Sequence, residues 1–260
     1  MSDRAPDQWW DESWNPITGC THVSPACDHC WAAGMAKRFP QIHGGRPFHE
    51  IRFHTDRLFQ PMKWSKPKRI FVCSVGDFWH PNVQPIQRVL VLDVIRKCPH
   101  HTFILLTKRA KEMNDEMTDN SMLIPFVSLP NVIAMVTVEN QERADERIPY
   151  LLSTPWRYRG VSIEPMLGAV DLGKWMPTEW YHYTPRNPLP SLDWAILGGE
   201  TGPGARKCDY EWAISVRDQC EAAGVPFFYK GIGTHKGVKK SNPYYNLLSG
   251  NAYHEFPEVK

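Results

Sequence analysis

Three cysteines fall within eleven residues, Cys20, Cys27 and Cys30, with six residues between the first two and two between the last two. The closer pair is able to face one metal from a single turn, and Gly19 and Pro25 help the backbone fold around whatever the loop holds. Thiolates are soft donors that suit iron–sulfur clusters and zinc. A count of three favours a cubane cluster with one iron left open, since an open iron can chelate a small molecule. On the loop alone the alternative is a zinc site closed by His22, His29 or Asp28. Seven cysteines in all is an odd number in a chain of 260 residues, too large to need disulfide staples, so the cluster of three reads as metal-binding in a reducing compartment. Cys73, Cys98, Cys208 and Cys220 lie in or beside apolar runs and read as small buried thiols.

The loop needs a scaffold, and the chain supplies one in repeated apolar runs. Arg69–Asp77, Thr102–Lys108, Val132–Glu139, Gly160–Glu164, Asp193–Glu200 and Val225–Lys230 have the continuous apolarity of strands in a parallel sheet covered on both faces. Helical patterns lie between them at Gln84–Lys97, Ala110–Met117, Gln141–Leu152 and Tyr210–Ala223, with Gly224 placed to stop the last. Trp14–Cys20 reads as a short strand entering the cysteine loop, and Trp31–Phe39 as the helix after it. Alternation of this kind predicts an α/β fold, a partial or irregular (β/α) TIM-type barrel with parallel strands, forming one domain over 1–260. Two excursions break the pattern, at 40–68 and 168–190; both are rich in proline, and the first carries His43, His49 and His54. The spacings of those histidines match no helical ligand face, so they read as surface loop residues.

In barrels, functional groups gather where strands end. That rule nominates Ser74 and Asp77, Lys108 and Arg109, Glu139 with Asn140, Ser162 and Glu164, Glu200, and Lys230. Taken singly, each is also what an ordinary cap or salt-bridge partner looks like; Glu164, for instance, is expected to pair with Arg147 or Arg159 if it is structural.

WNPITGCTHVSPACDHCWA, FVCSVGDFWH, LLTKRAKEM, VTVENQERADERIPYLL, VSIEPMLG and LDWAILGGETGPGAR followed by VRDQCEAAGVPFFYK together resemble the phage and prophage three-cysteine-motif proteins, a radical-SAM-like family, over Trp14 to Gly233. The resemblance implies a barrel of the radical-SAM kind with a [4Fe–4S] cluster on Cys20, Cys27 and Cys30, and S-adenosylmethionine (SAM) bound at the open iron. It implies an enzyme that generates a 5′-deoxyadenosyl radical and abstracts hydrogen from a substrate, with a nucleic-acid base or nucleotide suggested by the phage association. It also implies a separately encoded partner protein. The commonest loop of this kind has three residues between its first two cysteines where this chain has six, so cluster ligation carries over further than any particular reaction. Within that frame, Ser74 and Asp77 are candidates for the methionyl amine, Lys108 and Arg109 for the SAM carboxylate or an anionic substrate, and Glu164 for a ribose or substrate. Glu139, Ser162 and Glu200 complete the cofactor-binding set. Glu200 follows Gly198-Gly199, where missing side chains leave room for a ligand near the backbone.

Bulk properties limit the alternatives. A formal charge of +2, from 30 basic and 28 acidic residues, permits nucleic acid as a partner without demanding it. The polar N-terminus lacks the apolar stretch of a signal peptide, and the apolar run Val89–Ile95 is too short for a bilayer, so a cytoplasmic location, that of the host cell for a phage protein, is expected. Two other readings remain at this point: a nucleic-acid-binding or scaffold protein with a structural metal site and no turnover, and a hydrolytic barrel working through Asp77, Glu139 and Glu164. Lys66–Arg69, Trp156–Arg159 and Lys239–Tyr245 are the basic and aromatic stretches compatible with nucleic acid.

Overall fold

The computed structural model describes residues 8–177, 190–235, 238–242 and 245–259. They fall into two compact units, the first built on Trp10–Met135 with Thr154–Tyr158 and Val259, the second on Val136–Ser153 and Arg159–Glu258 together with Gln8 and Trp9.

The first unit opens with β1 (Glu12–Trp14), β2 (Ile17–Thr18), α1 (Trp31–Arg38) and β3 (Arg52–Phe53). It continues with β4 (Arg69–Val72), α2 (Pro85–Lys97), β5 (Thr102–Thr107), α3 (Ala110–Asp119) and most of β6 (Val132–Thr137). β4 pairs in parallel with β1 on one side, Ile70 beside Glu12, and with β5 on the other, Ile70 beside Phe103. The strand expected over Trp14–Cys20 is therefore divided. β1 ends at Trp14, whose fully buried ring meets Phe103 edge-on at 5.9 Å and whose Nε1–H donates to Arg57 O at 2.9 Å. The chain then turns out of the sheet, and β2 pairs antiparallel with β3, drawn from the 40–68 excursion. Proline at the first turn and a reciprocal Gln84–Gln87 capping box start α2, which buries Val91, Leu92, Val94 and Ile95. Each such side chain contributes roughly 1.5–3 kcal/mol on removal from water.

The second unit holds α4 (Gln141–Ser153), β7 (Tyr158–Ile163), β8 (Trp194–Gly198), α5 (Tyr210–Ala223) and β9 (Phe227–Gly231). β8 lies parallel between β7 and β9, and all five of its residues are buried. Asp209 caps α5 by accepting from Glu211 N–H at 3.3 Å, and Gly224 ends it in the left-handed conformation. Of the excursion at 168–190, residues 178–189 lie outside the described residues, as do two residues of the Lys239–Tyr245 stretch. The strands β1-β4-β5 of the first unit and β7-β8-β9 of the second pair in parallel, as the continuous apolar runs predict, while the short β2–β3 pair is antiparallel. Among the described residues, no helix is long and apolar enough to cross a membrane.

Candidate functional site

The cysteine loop begins at the end of β2, within the first unit. Gly19 N–H donates to Val75 O at 3.0 Å and Cys20 N–H to Phe48 O at 2.9 Å, which fixes the start of the loop between the end of β4 and the 40–68 excursion. Gly19 has φ 94, and a Cβ there would lie 2.3 Å from Glu50 O, so the turn into Cys20 requires glycine. Pro25–Cys27 forms one 3-10 turn, closed by Cys27 N–H to Ser24 O at 2.8 Å, and Cys30 caps α1. Cys20, Cys27 and Cys30 are free and partly exposed, whereas Cys73, Cys98, Cys208 and Cys220 are free and buried. His22 and Asp28, two candidates for sealing a zinc site, are bonded to each other at 2.8 Å. Among the described residues, no three His, Cys, Asp or Glu side chains converge as a ready-made site for one metal ion.

Cys20 is held from the opposite side by Arg109, which follows β5. Arg109 Nη1–H groups reach Cys20 Sγ at 3.3 Å and Asp77 Oδ2 at 3.1 Å. Its Nη2–H groups reach Thr21 O at 3.1 Å and Thr21 Oγ1 at 2.8 Å. Asp77 is equally committed: the Thr107 hydroxyl donates to both its oxygens, at 2.8 and 3.0 Å, and Trp79 N–H donates to Oδ1 at 3.0 Å. His80 Nδ1 accepts from Asn82 N–H at 3.1 Å, so its Nε2 carries the proton and donates to Thr21 Oγ1 at 2.9 Å. Burial, and then the Asp77 carboxylate, push the Cys20 thiol up to about 11, against the pull of Arg109. Burial also disfavours the Arg109 charge, but Asp77 and Cys20 outweigh it and hold the guanidinium above its ordinary value.

The structure thus brings Cys20, Asp77 and Arg109 together, and it redefines their parts. Asp77 is bonded to Arg109, Thr107 and the backbone, and Arg109 to Asp77, Cys20 and Thr21. Ser74 donates to Asn15 Oδ1 at 3.3 Å, next to Val75 N–H at 3.1 Å on the same oxygen, and so serves to hold the chain after β1. Lys108 is half-buried. Arg88, 1% exposed, was not singled out by sequence: it donates to Phe78 O at 3.2 Å and His80 O at 2.9 Å and pairs with Glu116 at 3.1 Å, fixing the segment that carries Asp77 and His80. Its position one turn into an amphipathic helix gave the only sequence hint.

In the second unit every nominated carboxylate has a basic partner. Fully buried Glu139 meets Arg147 at 2.9 Å, and Arg147 also donates to Thr137 O at 2.8 Å. Glu164, whose peptide bond to Pro165 is cis, pairs with Lys230 rather than with Arg147 or Arg159. Glu200 accepts from Arg206 N–H and Nε–H, each at 2.9 Å. Ser162 is buried, and its carbonyl accepts Val138 N–H at 3.0 Å. The Gly198-Gly199 pair makes room for protein: a Cβ on Gly199 would lie 2.1 Å from Ile232 O, so the turn after β9 fills the space expected for a ligand.

The histidines of the 40–68 excursion correct the surface reading. His49 is exposed, but His43 and His54 are 1% and 4% exposed and both bond Thr18, at 2.6 and 2.8 Å. Pro47 O can only accept, so His43 Nε2, 2.8 Å away, carries its proton; Thr18 therefore donates to His43 Nδ1 and accepts from His54 Nε2–H. This chain of bonds sits two residues before Cys20 and anchors the loop's stem.

No curated protein and no solved structure matches this chain. One family model does, over residues 5–257, and its description is "Protein of unknown function (DUF5131)". With nearly its whole length matched, the chain belongs to that DUF5131 family.

Proposed function

We propose that the chain is a radical SAM-type iron–sulfur enzyme of the phage and prophage three-cysteine-motif kind, built on a partial (β/α) barrel and acting in the cytoplasm on a nucleic-acid base or nucleotide, with a separately encoded partner. The observation that carries this reading is the presentation of Cys20: a partly exposed sulfur, at the edge where parallel strands β1 and β4 end, held by a buried guanidinium at 3.3 Å. Cys27 and Cys30 follow on the same loop, equally free. The donor set fits a cubane, which takes one thiolate per iron, so its ligands need not converge on a point as those of a single zinc ion must. Pairing of His22 with Asp28 further disfavours a zinc site sealed by either.

Cys20, Cys27 and Cys30 would hold a [4Fe–4S] cluster, which would supply the one-electron reduction that radical chemistry from SAM requires. The residues of this chain set the Arg109 charge against the Cys20 sulfur and brace the loop through His80, Thr21 and Thr18. Pairing of Asp77, Glu139 and Glu164 with Arg109, Arg147 and Lys230 disfavours the hydrolytic reading, which needs carboxylates free to activate water.

Anaerobic reconstitution with iron and sulfide, followed by reduction in the presence of SAM, tests the proposal. The expected product is 5′-deoxyadenosine from the wild-type chain. A colourless protein with stoichiometric zinc and no 5′-deoxyadenosine refutes it in favour of a structural metal site on a nucleic-acid-binding or scaffold protein.

A further inference from the structure

Arg109 is spent almost completely on the cysteine loop. Four of its five N–H groups are used, on Cys20 Sγ, Asp77 Oδ2, Thr21 O and Thr21 Oγ1, and the residue is 4% exposed. Its backbone is pinned as well, since Arg109 N–H donates to Thr107 Oγ1 at 2.9 Å while the Thr107 hydroxyl donates to Asp77. Guanidinium does not lose its proton in proteins, so a permanent positive charge faces one particular cysteine. The same Nη1 that reaches Cys20 also reaches Asp77, which sets a negative charge against the guanidinium and is itself held by Thr107 and Trp79 N–H.

Resting on the iron–sulfur reading above, we propose that Arg109 is a positioning residue that presents Cys20 to the cluster and raises the cluster's reduction potential, and that Asp77 opposes it and lowers that potential. The physical reason is that reduction adds negative charge to the cluster and its thiolates. A fixed N–H···S bond stabilises the reduced form, and a carboxylate on the same donor nitrogen offsets part of that stabilisation. The two residues therefore act with opposite signs, which a merely structural pair would not do. Removing either half of a structural pair loosens the same loop and moves every property the same way.

The experiment is an anaerobic redox titration, followed by electron paramagnetic resonance, of the full reconstituted chain and its Arg109→Gln, Arg109→Lys and Asp77→Asn variants, with iron and sulfide counted in each. Arg109→Gln is expected to move the one-electron equilibrium about tenfold toward the oxidised cluster, a midpoint more negative by ~59 mV. Asp77→Asn moves it to more positive potential. Arg109→Lys keeps the charge but not the fork, and falls between Arg109→Gln and wild type. Arg109→Gln and Asp77→Asn shifting in the same direction, or not at all, overturn the proposal. So does loss of loading in all three variants while circular dichroism shows them folded, because a tuning role leaves ligation intact. Should Arg109→Gln alone fail to load, the signs of Asp77→Asn and Arg109→Lys decide. A wild-type chain that binds no iron or sulfide overturns the iron–sulfur reading itself, whereas a loaded wild type with unshifted variants overturns only the role of Arg109 and Asp77.

Discussion

Acid should loosen the stem of the cysteine loop through His54. Its ring is 4% exposed and donates from Nε2 to Thr18, so a second proton has to enter at Nδ1 and leave a buried cation. Burial, and then the nearby Arg57 and Arg52 charges with a smaller push from His43, lower its pKa from 6.5 to about 4, against the opposing pull of Asp56. The unfolded chain takes up this proton near pH 6.5 and the folded chain only near pH 4, so between the two the unfolded state binds more protons. Stability from His54 is therefore complete above pH 6.5 and is lost as pH falls toward 4. The loss amounts to about 2 kcal/mol by about pH 5 and to ~3 kcal/mol in full. Urea unfolding of wild type and His54→Gln at about pH 7.5 and about pH 5 measures it. Glutamine keeps a donor for Thr18 but has no proton to gain, so its stability should fall less with acid, by the same ~2 kcal/mol. His80, His101 and His254 are also held below their ordinary values, first by burial, and their contributions cancel in the difference between the two proteins. Parallel loss of stability in wild type and variant would refute the reasoning.

Other changes have equally definite outcomes. Glu139→Gln leaves Arg147, 3% exposed, without its counter-charge and should cost about 3–5 kcal/mol in urea unfolding, whereas replacing both residues with methionine should recover most of that loss. Gly199→Ala drives a methyl group to within 2.1 Å of Ile232 O and should lower the melting temperature by an amount equivalent to about 1–3 kcal/mol, with faster proteolysis after β9. Cys27→Ala should abolish iron and sulfide binding, while Cys98→Ala, at a buried position remote in sequence from the loop, should load like wild type; equal iron content in both would count against the three-cysteine site.

What was legible in the sequence follows from how far apart the deciding residues lie along the chain. β6 and β8 read correctly as continuous apolar runs because burial on both faces is written into each run. α5 was bounded to the residue because its stop, Gly224, is adjacent to it. Strand ends overran where composition stays apolar after geometry has changed: Arg69–Asp77 reads as one run, yet β4 ends at Val72, and Cys73, at φ 56, turns the chain out of the sheet.

The site divides the same way. Within each unit parallel strands deliver their C-terminal residues to one edge, so the numbers Asp77 and Arg109 in the first and Glu164 and Glu200 in the second were readable from strand ends alone. Their partners were not, because a salt bridge is chosen by whichever element packs nearby: Glu164 takes Lys230, 66 residues on, rather than Arg147 or Arg159. His43 and His54 were misread for that reason, since a spacing of eleven matches no local ligand face and Thr18, on β2, makes them a pair. Arg109 was legible as a cation beside a strand end but not as the residue that holds Cys20, 89 positions earlier. A buried charge needs a partner wherever the fold provides one, so at such a site the sequence names the charges and the packing decides what each of them does.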